Sequence, residues 1–232
     1  MLSLMIALSA MGIEQANAAN AIIAAPAATT SSVGAFTVLW TGNRLQVKNG
    51  TRVIWESMAN ESFVRAGTQQ LDAHELRGSF SVNENVITQC TDQSISSFTQ
   101  SGTEVVFKGR LTGSASCATN YTLSFTQPMT GHLRFKLSFD NAAVNYSELA
   151  YSSNADERFH GFGEQFSILD LKGQVVPVLS QEGGVGRGHQ PISAAVNLGS
   201  AGAAGNELTT YYAVPQYITN TNKSLFLENT DY

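Results

Sequence analysis

The chain has 232 residues and a formal net charge of −5, with charged residues at only 13% and no lysine and arginine cluster. That balance excludes electrostatic binding to a nucleic-acid backbone and makes a neutral or mildly polar ligand the better default. At this length a single large all-β domain is expected, and the low charge with abundant Ser, Thr, Asn and Gly suits a strand-rich exported protein.

The first element is a short apolar run from Leu2 to Ile13, followed by Glu14-Gln15 and the small-residue sequence Ala16-Asn17-Ala18. This reads as a signal peptide over residues 1–18, so export to a periplasmic or extracellular space is expected. The run is too short for a membrane span. Residues 19–33, rich in Ala, Thr and Ser with one Pro26, lack periodicity and read as a flexible mature N-terminus.

From Gly34 onward the pattern alternates with period two. The runs AFTVLW, RLQVK and TRVIWES are separated by Thr41-Gly42-Asn43 and by Asn49-Gly50, a hairpin signal. Further strands are predicted at SFSVN, around Ser94 to Thr99, and at TEVVFKGRL, TNYTLSFTQ and HLRFKLSFD. Their spacing predicts an antiparallel β-sandwich in a single unit over 34–232, with no helix before Tyr151. Cys90 and Cys117 are the only cysteines. One disulfide is favoured in an oxidising compartment, contributing about 3–4 kcal/mol by loop closure, with two buried thiols as the alternative. Neither has a second Cys or a His at ligand spacing, so no metal site is expected. Sequons stand at Asn49, Asn60, Asn120, Asn145 and Asn222.

After Tyr151, Gly and polar residues dominate through Gly205, which predicts long loops on the scaffold around short apolar pieces, FSILDL and VVPVL. Strands return at TTYYAVPQYIT and SLFLEN, and the stop at Asp231-Tyr232 soon after an apolar run reads as a truncation. The segment QEGGVGRGH has four glycines between Gly183 and Gly188. A phosphate cradle is set aside there because neither a helix nor a Lys-Ser/Thr pair is expected to follow.

The stretch ERFHGFGEQFSILDLKGQVVPVLSQEGGVGRGHQP, residues 157–191, resembles the opening of family 31 glycoside hydrolases. FTVLW, RLQVK, RVIWES with Ser62-Phe63, and YYAVPQYITNTNKSLFLENTDY extend the likeness from Phe36 to Tyr232. Within the family, Gly-Glu-Gln followed by Asp170-x-Lys172-Gly173 and by Glu182-Gly-x-x-Gly-Arg187 is nearest the bacterial sulfoquinovosidase-like branch. The resemblance implies a galactose mutarotase-like sandwich packed on a (β/α)₈ barrel. It also implies retaining hydrolysis of α-glycosides by two barrel aspartates beyond position 232, so this chain alone is expected to hold no catalytic residue and no activity. No cofactor is implied. The partners implied are a sugar or α-glycoside and the barrel of the same polypeptide.

Glu164, Gln165, Glu182 and Gln190 are then acceptors for sugar hydroxyls, and Arg187 is a partner for a barrel carboxylate. The glycines of GFGEQ read first as a bulge or close backbone approach, and Glu164 first as a buried partner for a loop amide or a cation, with Lys172 and Arg187 the candidate cations, and otherwise as an indirect support for the sugar pocket. Two other functions stay open. Trp40, Trp55, Tyr211 and Tyr212 could stack on sugars in a free-standing carbohydrate-binding sandwich, although alternating strand aromatics are more often core. His160 and His189 could serve an aldose 1-epimerase, although that family's own motifs do not occur.

Overall fold

A computed structural model describes residues 3–5, 21–76, 79–164, 167–180, 191–199 and 204–229. The protein is all-β, an antiparallel sandwich with a smaller sheet hung from it. Its first layer is a meander of β3 (Thr29–Val33), β4 (Phe36–Trp40), β5 (Leu45–Asn49) and β6 (Arg52–Glu56). Alternation in β4 and β5 turns Phe36, Val38, Trp40, Leu45 and Val47 inward, and all five are buried. The hairpin between β5 and β6 turns at Gly50-Thr51, where Gly50 takes φ +60°.

The second layer contains β7 (Val64–Leu76), β8 (Ser79–Ser101), β9 (Glu104–Gly113), β10 (Ala118–Met129) and β11 (His132–Phe139), each paired antiparallel with the next. β12 (Tyr146–Leu149) pairs antiparallel with β7. Two short strands join in parallel: β1 (Ser3–Met5) on β12 and β2 (Ile22–Ala24) on β8. Between the layers lie Trp40, Leu45, Phe63, Phe107, Leu111 and Leu123, all at most 1% exposed. Burial of each such side chain contributes about 1.5–3 kcal/mol.

Polar groups inside this core are satisfied by neighbouring strands. Gln93 is fully buried: its Oε1 accepts from the backbone N–H of Phe63 at 2.9 Å and of Val64 at 3.3 Å, and its Nε2 donates to the Tyr121 hydroxyl at 2.7 Å. Just before β12 begins beside β7, the Asn145 side chain takes the place of a strand. Its Oδ1 accepts from Gln69 N–H at 2.8 Å and its Nδ2 donates to Gln69 C=O at 2.7 Å. Cys90 on β8 is bonded to Cys117, which follows the turn after β9.

Several elements differ from the sequence reading. Residues 19–33 were expected to be flexible, yet Ile22–Ala24 and Thr29–Val33 are strands, because Val33 plugs the core and β3 completes the edge of β4. SFSVN and the Ser94 to Thr99 segment belong to one 23-residue strand. The partner β7 carries too many polar residues for an alternating signal, and it escaped prediction. Residues 1–2 and 6–18 of the expected leader, and residues 19–20 after it, lie outside the described residues.

The loops expected after Tyr151 contain a second, smaller unit. β13 (Phe159–Gly163), β14 (Ala213–Thr219) and β15 (Ser224–Phe226) form a three-stranded antiparallel sheet. A helix, α1 (Pro191–Gly199), lies between β13 and β14 in the chain and starts on a proline, a residue pre-shaped for a first helical turn. This small sheet has its own core of Phe159, Phe162, Leu171 and Tyr217. Tyr151 joins the two cores: its ring packs on Trp55 at 6.2 Å, and its hydroxyl is hydrogen-bonded to that of Tyr217. Arg134 on β11 also pairs with Glu228 at 2.8 Å. Among the described residues no helix is long and apolar enough to cross a membrane.

Candidate functional site

β13 ends in an unusual backbone. Gly161, Phe162 and Gly163 take successive φ values of +139°, +61° and +122°. Across this bulge the register passes from Gly161 opposite Tyr217 to Gly163 opposite Ala213. A side chain on Gly163 would collide with the Tyr212 carbonyl oxygen and stand 2.8 Å from Thr210 Oγ1. Phe162 holds its left-handed conformation, which costs about 1–2 kcal/mol, because its ring is buried and packs 5.7 Å from that of Tyr217. The glycines are therefore explained by bulge geometry.

The bulge delivers Glu164 to the surface. Its backbone N–H donates to Thr210 Oγ1 at 2.9 Å and to the Tyr212 carbonyl at 3.2 Å, while its side chain is exposed. Thr210 itself is 1% exposed. Its hydroxyl also accepts from Tyr212 N–H at 3.2 Å and donates to Tyr212 C=O at 3.0 Å. A parallel bridge joins Thr210 to Ser180, the last described residue before the Gly-rich segment. One residue, Thr210, therefore holds both Glu164 and Ser180.

The turn after FSILDL braces β13 from the other side. Asp170 Oδ1 accepts from the N–H groups of Phe159 and Lys172, both at 3.1 Å, and Oδ2 pairs with Arg158 at 3.0 Å. Burial alone would raise the Asp170 pKa, but those backbone hydrogen bonds and the guanidinium hold it below the usual carboxylate range. Lys172 was a candidate partner for Glu164. Instead its ammonium donates to the carbonyls of Asn154 and Ala155, because the Asp170 turn directs it to that loop. Glu164 is exposed and does not pair with Lys172, and Arg187, the other candidate partner, lies outside the described residues. His160 Nδ1 lies 2.6 Å from the Leu169 carbonyl, which binds the imidazole to the same turn.

Gln165, Glu182, Arg187, His189 and Gln190 lie outside the described residues. The helix that begins at Pro191 corrects one expectation, that none would follow the Gly-rich segment, although no Lys-Ser/Thr pair accompanies it. Trp40 is core and Trp55 packs between Phe63 and Tyr151, so neither presents a face to a sugar. Tyr211 and Tyr212, beside Thr210, are 44% and 71% exposed. Thr210 escaped the sequence reading, since a threonine in a strand-like run gives no signal of its long-range bonds. Among the described residues, no group of three His, Cys, Asp or Glu side chains is placed to hold a metal.

Exposed apolar side chains are distributed unevenly. Of sixteen large ones among the described residues, ten lie between Leu169 and Phe226, with Leu169 81%, Val175 73% and Leu198 90% exposed. The other six, from Ile23 to Met129, lie on the sandwich.

No family model matches the chain. Over 111 residues, 48% of its length, it is 28% identical to the sulfoquinovosidase of Escherichia coli (strain K12), of which the match covers 16%. Its fold is similar to that of a GH31 family sulfoquinovosidase from E. rectale, solved in complex with an aza-sugar inhibitor. That likeness has a TM-score of 0.63 at 20% identity and covers 84% of this chain and 28% of that one. The chain thus spans less than a third of the length of these relatives. It is homologous to part of a sulfoquinovosidase, shares the fold of part of another, and is a relative of the family 31 glycoside hydrolases.

Proposed function

We propose that the chain serves as the non-catalytic N-terminal sandwich of a retaining α-glycosidase, covering one side of a catalytic barrel and lending a loop to its sugar pocket. The observation that carries this reading is the concentration of exposed apolar residues from Leu169 to Phe226, on the small sheet, its connecting segments and α1. Apolar surface in that amount calls for a packing partner, and the barrel of the same polypeptide is the partner that the relatives' greater length supports.

In this reading Glu182, Gln190 and Gln165 accept hydrogen bonds from sugar hydroxyls together with Glu164, and Arg187 pairs with a barrel carboxylate. The Ser180–Thr210 bridge favours it, because Ser180, two residues before Glu182 in the chain, and Glu164 are both held at Thr210. Such groups discriminate strongly, since a wrong sugar leaves them unpaired. Export after a cleavage at Ala18 belongs to the same proposal and is supported by the Cys90–Cys117 bond. Cleavage there would also remove β1 and free the β12 edge.

The test uses the polypeptide encoded by the full reading frame, assayed on aryl α-glucoside and aryl α-sulfoquinovoside. Glu182→Ala and Glu164→Ala should each lower kcat/KM about tenfold to hundredfold, the loss of one charge-assisted hydrogen bond, with the melting temperature unchanged. Wild-type efficiency in both variants would overturn the site assignment.

A further inference from the structure

We propose that Thr210 is a positioning residue for Glu164, setting where that carboxylate stands in the sugar pocket. The inference rests on the reading of Glu164 as a sugar-facing acceptor and adds a residue that touches no sugar. Three observations carry it. The Thr210 hydroxyl uses its full capacity on this junction, accepting from Glu164 N–H at 2.9 Å and Tyr212 N–H at 3.2 Å and donating to Tyr212 C=O at 3.0 Å. The three residues before Glu164 all have positive φ, so the chain direction at that point is set by the bulge and not by a regular ladder. The Cβ position of Gly163 is filled by Tyr212 backbone and Thr210 hydroxyl, which leaves the bulge one arrangement against its neighbour.

The Glu164 carboxylate, by contrast, has no partner among the described residues, and only its backbone is held. The point from which it extends is therefore set by the backbone, which Thr210 holds together with the Tyr212 carbonyl. A displacement of about 1 Å at a binding group is enough to lower turnover strongly. Thr210→Val keeps the shape and removes the oxygen, whereas Thr210→Ser keeps the oxygen.

The experiment measures kcat and KM of the full-length polypeptide on the better of the two aryl α-glycosides. Thr210→Val should lower kcat/KM about tenfold, chiefly through KM, and Thr210→Ser should restore it to within about twofold of wild type. In a Glu164→Ala background Thr210→Val should cost nothing further, because the group it positions is gone. Thermal melting of each variant separates this from general unfolding. Equal losses from Thr210→Val in both backgrounds, or failure of Thr210→Ser to restore efficiency, would overturn the positioning role while leaving Glu164 in place. An unaffected Glu164→Ala enzyme would instead remove the reading of Glu164 beneath it.

Discussion

The ring of Tyr121 fills the space that a side chain at Gly109 would need. A Cβ at Gly109 would collide with the Ser94 carbonyl oxygen and stand 2.7 Å from Tyr121 Cε1. The tyrosine on β10 thereby lies over β9, and its hydroxyl accepts the bond from buried Gln93. Burial pushes the Tyr121 pKa far up, so this hydroxyl stays protonated and able to donate to Ser94 C=O, 3.3 Å away.

Gly109→Ala should therefore destabilise the chain by about 2–3 kcal/mol through overpacking. Gly199→Ala, where a Cβ meets nothing within 4 Å, should stay within about 0.5 kcal/mol of wild type. Urea unfolding midpoints of the two variants check the contrast, and equal effects would contradict the packing account.

Glu157 and Lys223 give the small sheet an acid-sensitive lock. Glu157 is 1% exposed, accepts from Thr221 Oγ1 at 2.8 Å and pairs with Lys223 at 3.1 Å. Burial would raise its pKa, but these hydrogen bonds and the ammonium hold it below the ordinary value. A lowered folded-state pKa means stability that is present above the unfolded value, about 4.3, and lost as pH falls through the folded one. Stability should therefore decline below about pH 4.5, and Glu157→Gln should flatten that decline while costing about 2–3 kcal/mol at pH 7, less than a fully buried pair because Lys223 is partly exposed. Melting curves from pH 3 to pH 7 measure both, and an unchanged acid slope in Glu157→Gln would contradict the assignment.

Cys90 and Cys117, 27 residues apart, close a loop that includes β9 and most of β8's pairing with it. The Cys90→Ser, Cys117→Ser double variant should lose about 3–4 kcal/mol, mainly from the larger freedom of its unfolded chain. Thiol titration of the wild-type chain, unfolded without reductant, should find no free sulfhydryl. Two per chain would contradict the bridge.

The sandwich was legible because its strands carry one apolar face. Phe36, Val38, Trp40 and Leu123 with Phe125 announce both strand and burial side. β7 was not legible, because beyond Ala66 it runs through Thr68, Gln69, Gln70 and Asp72, residues held by neighbours such as Asn145 and Thr88. The small sheet was half legible: Tyr217 and Ile218 read as strand, but α1 is short and mostly exposed, and its segment read as loop. In the candidate site, Glu164 stood out by its Gly-aromatic-Gly setting. Thr210 did not, because its bonds reach back 46 residues to Glu164, a separation that no local pattern encodes.

The most direct test of the central claim is turnover of an aryl α-glycoside by two preparations, the 232-residue chain alone and the polypeptide from the full reading frame. The account predicts no turnover above the buffer rate for the chain alone and clear turnover for the longer polypeptide. Activity in the chain alone that survives repurification, or none in the longer polypeptide, would contradict it.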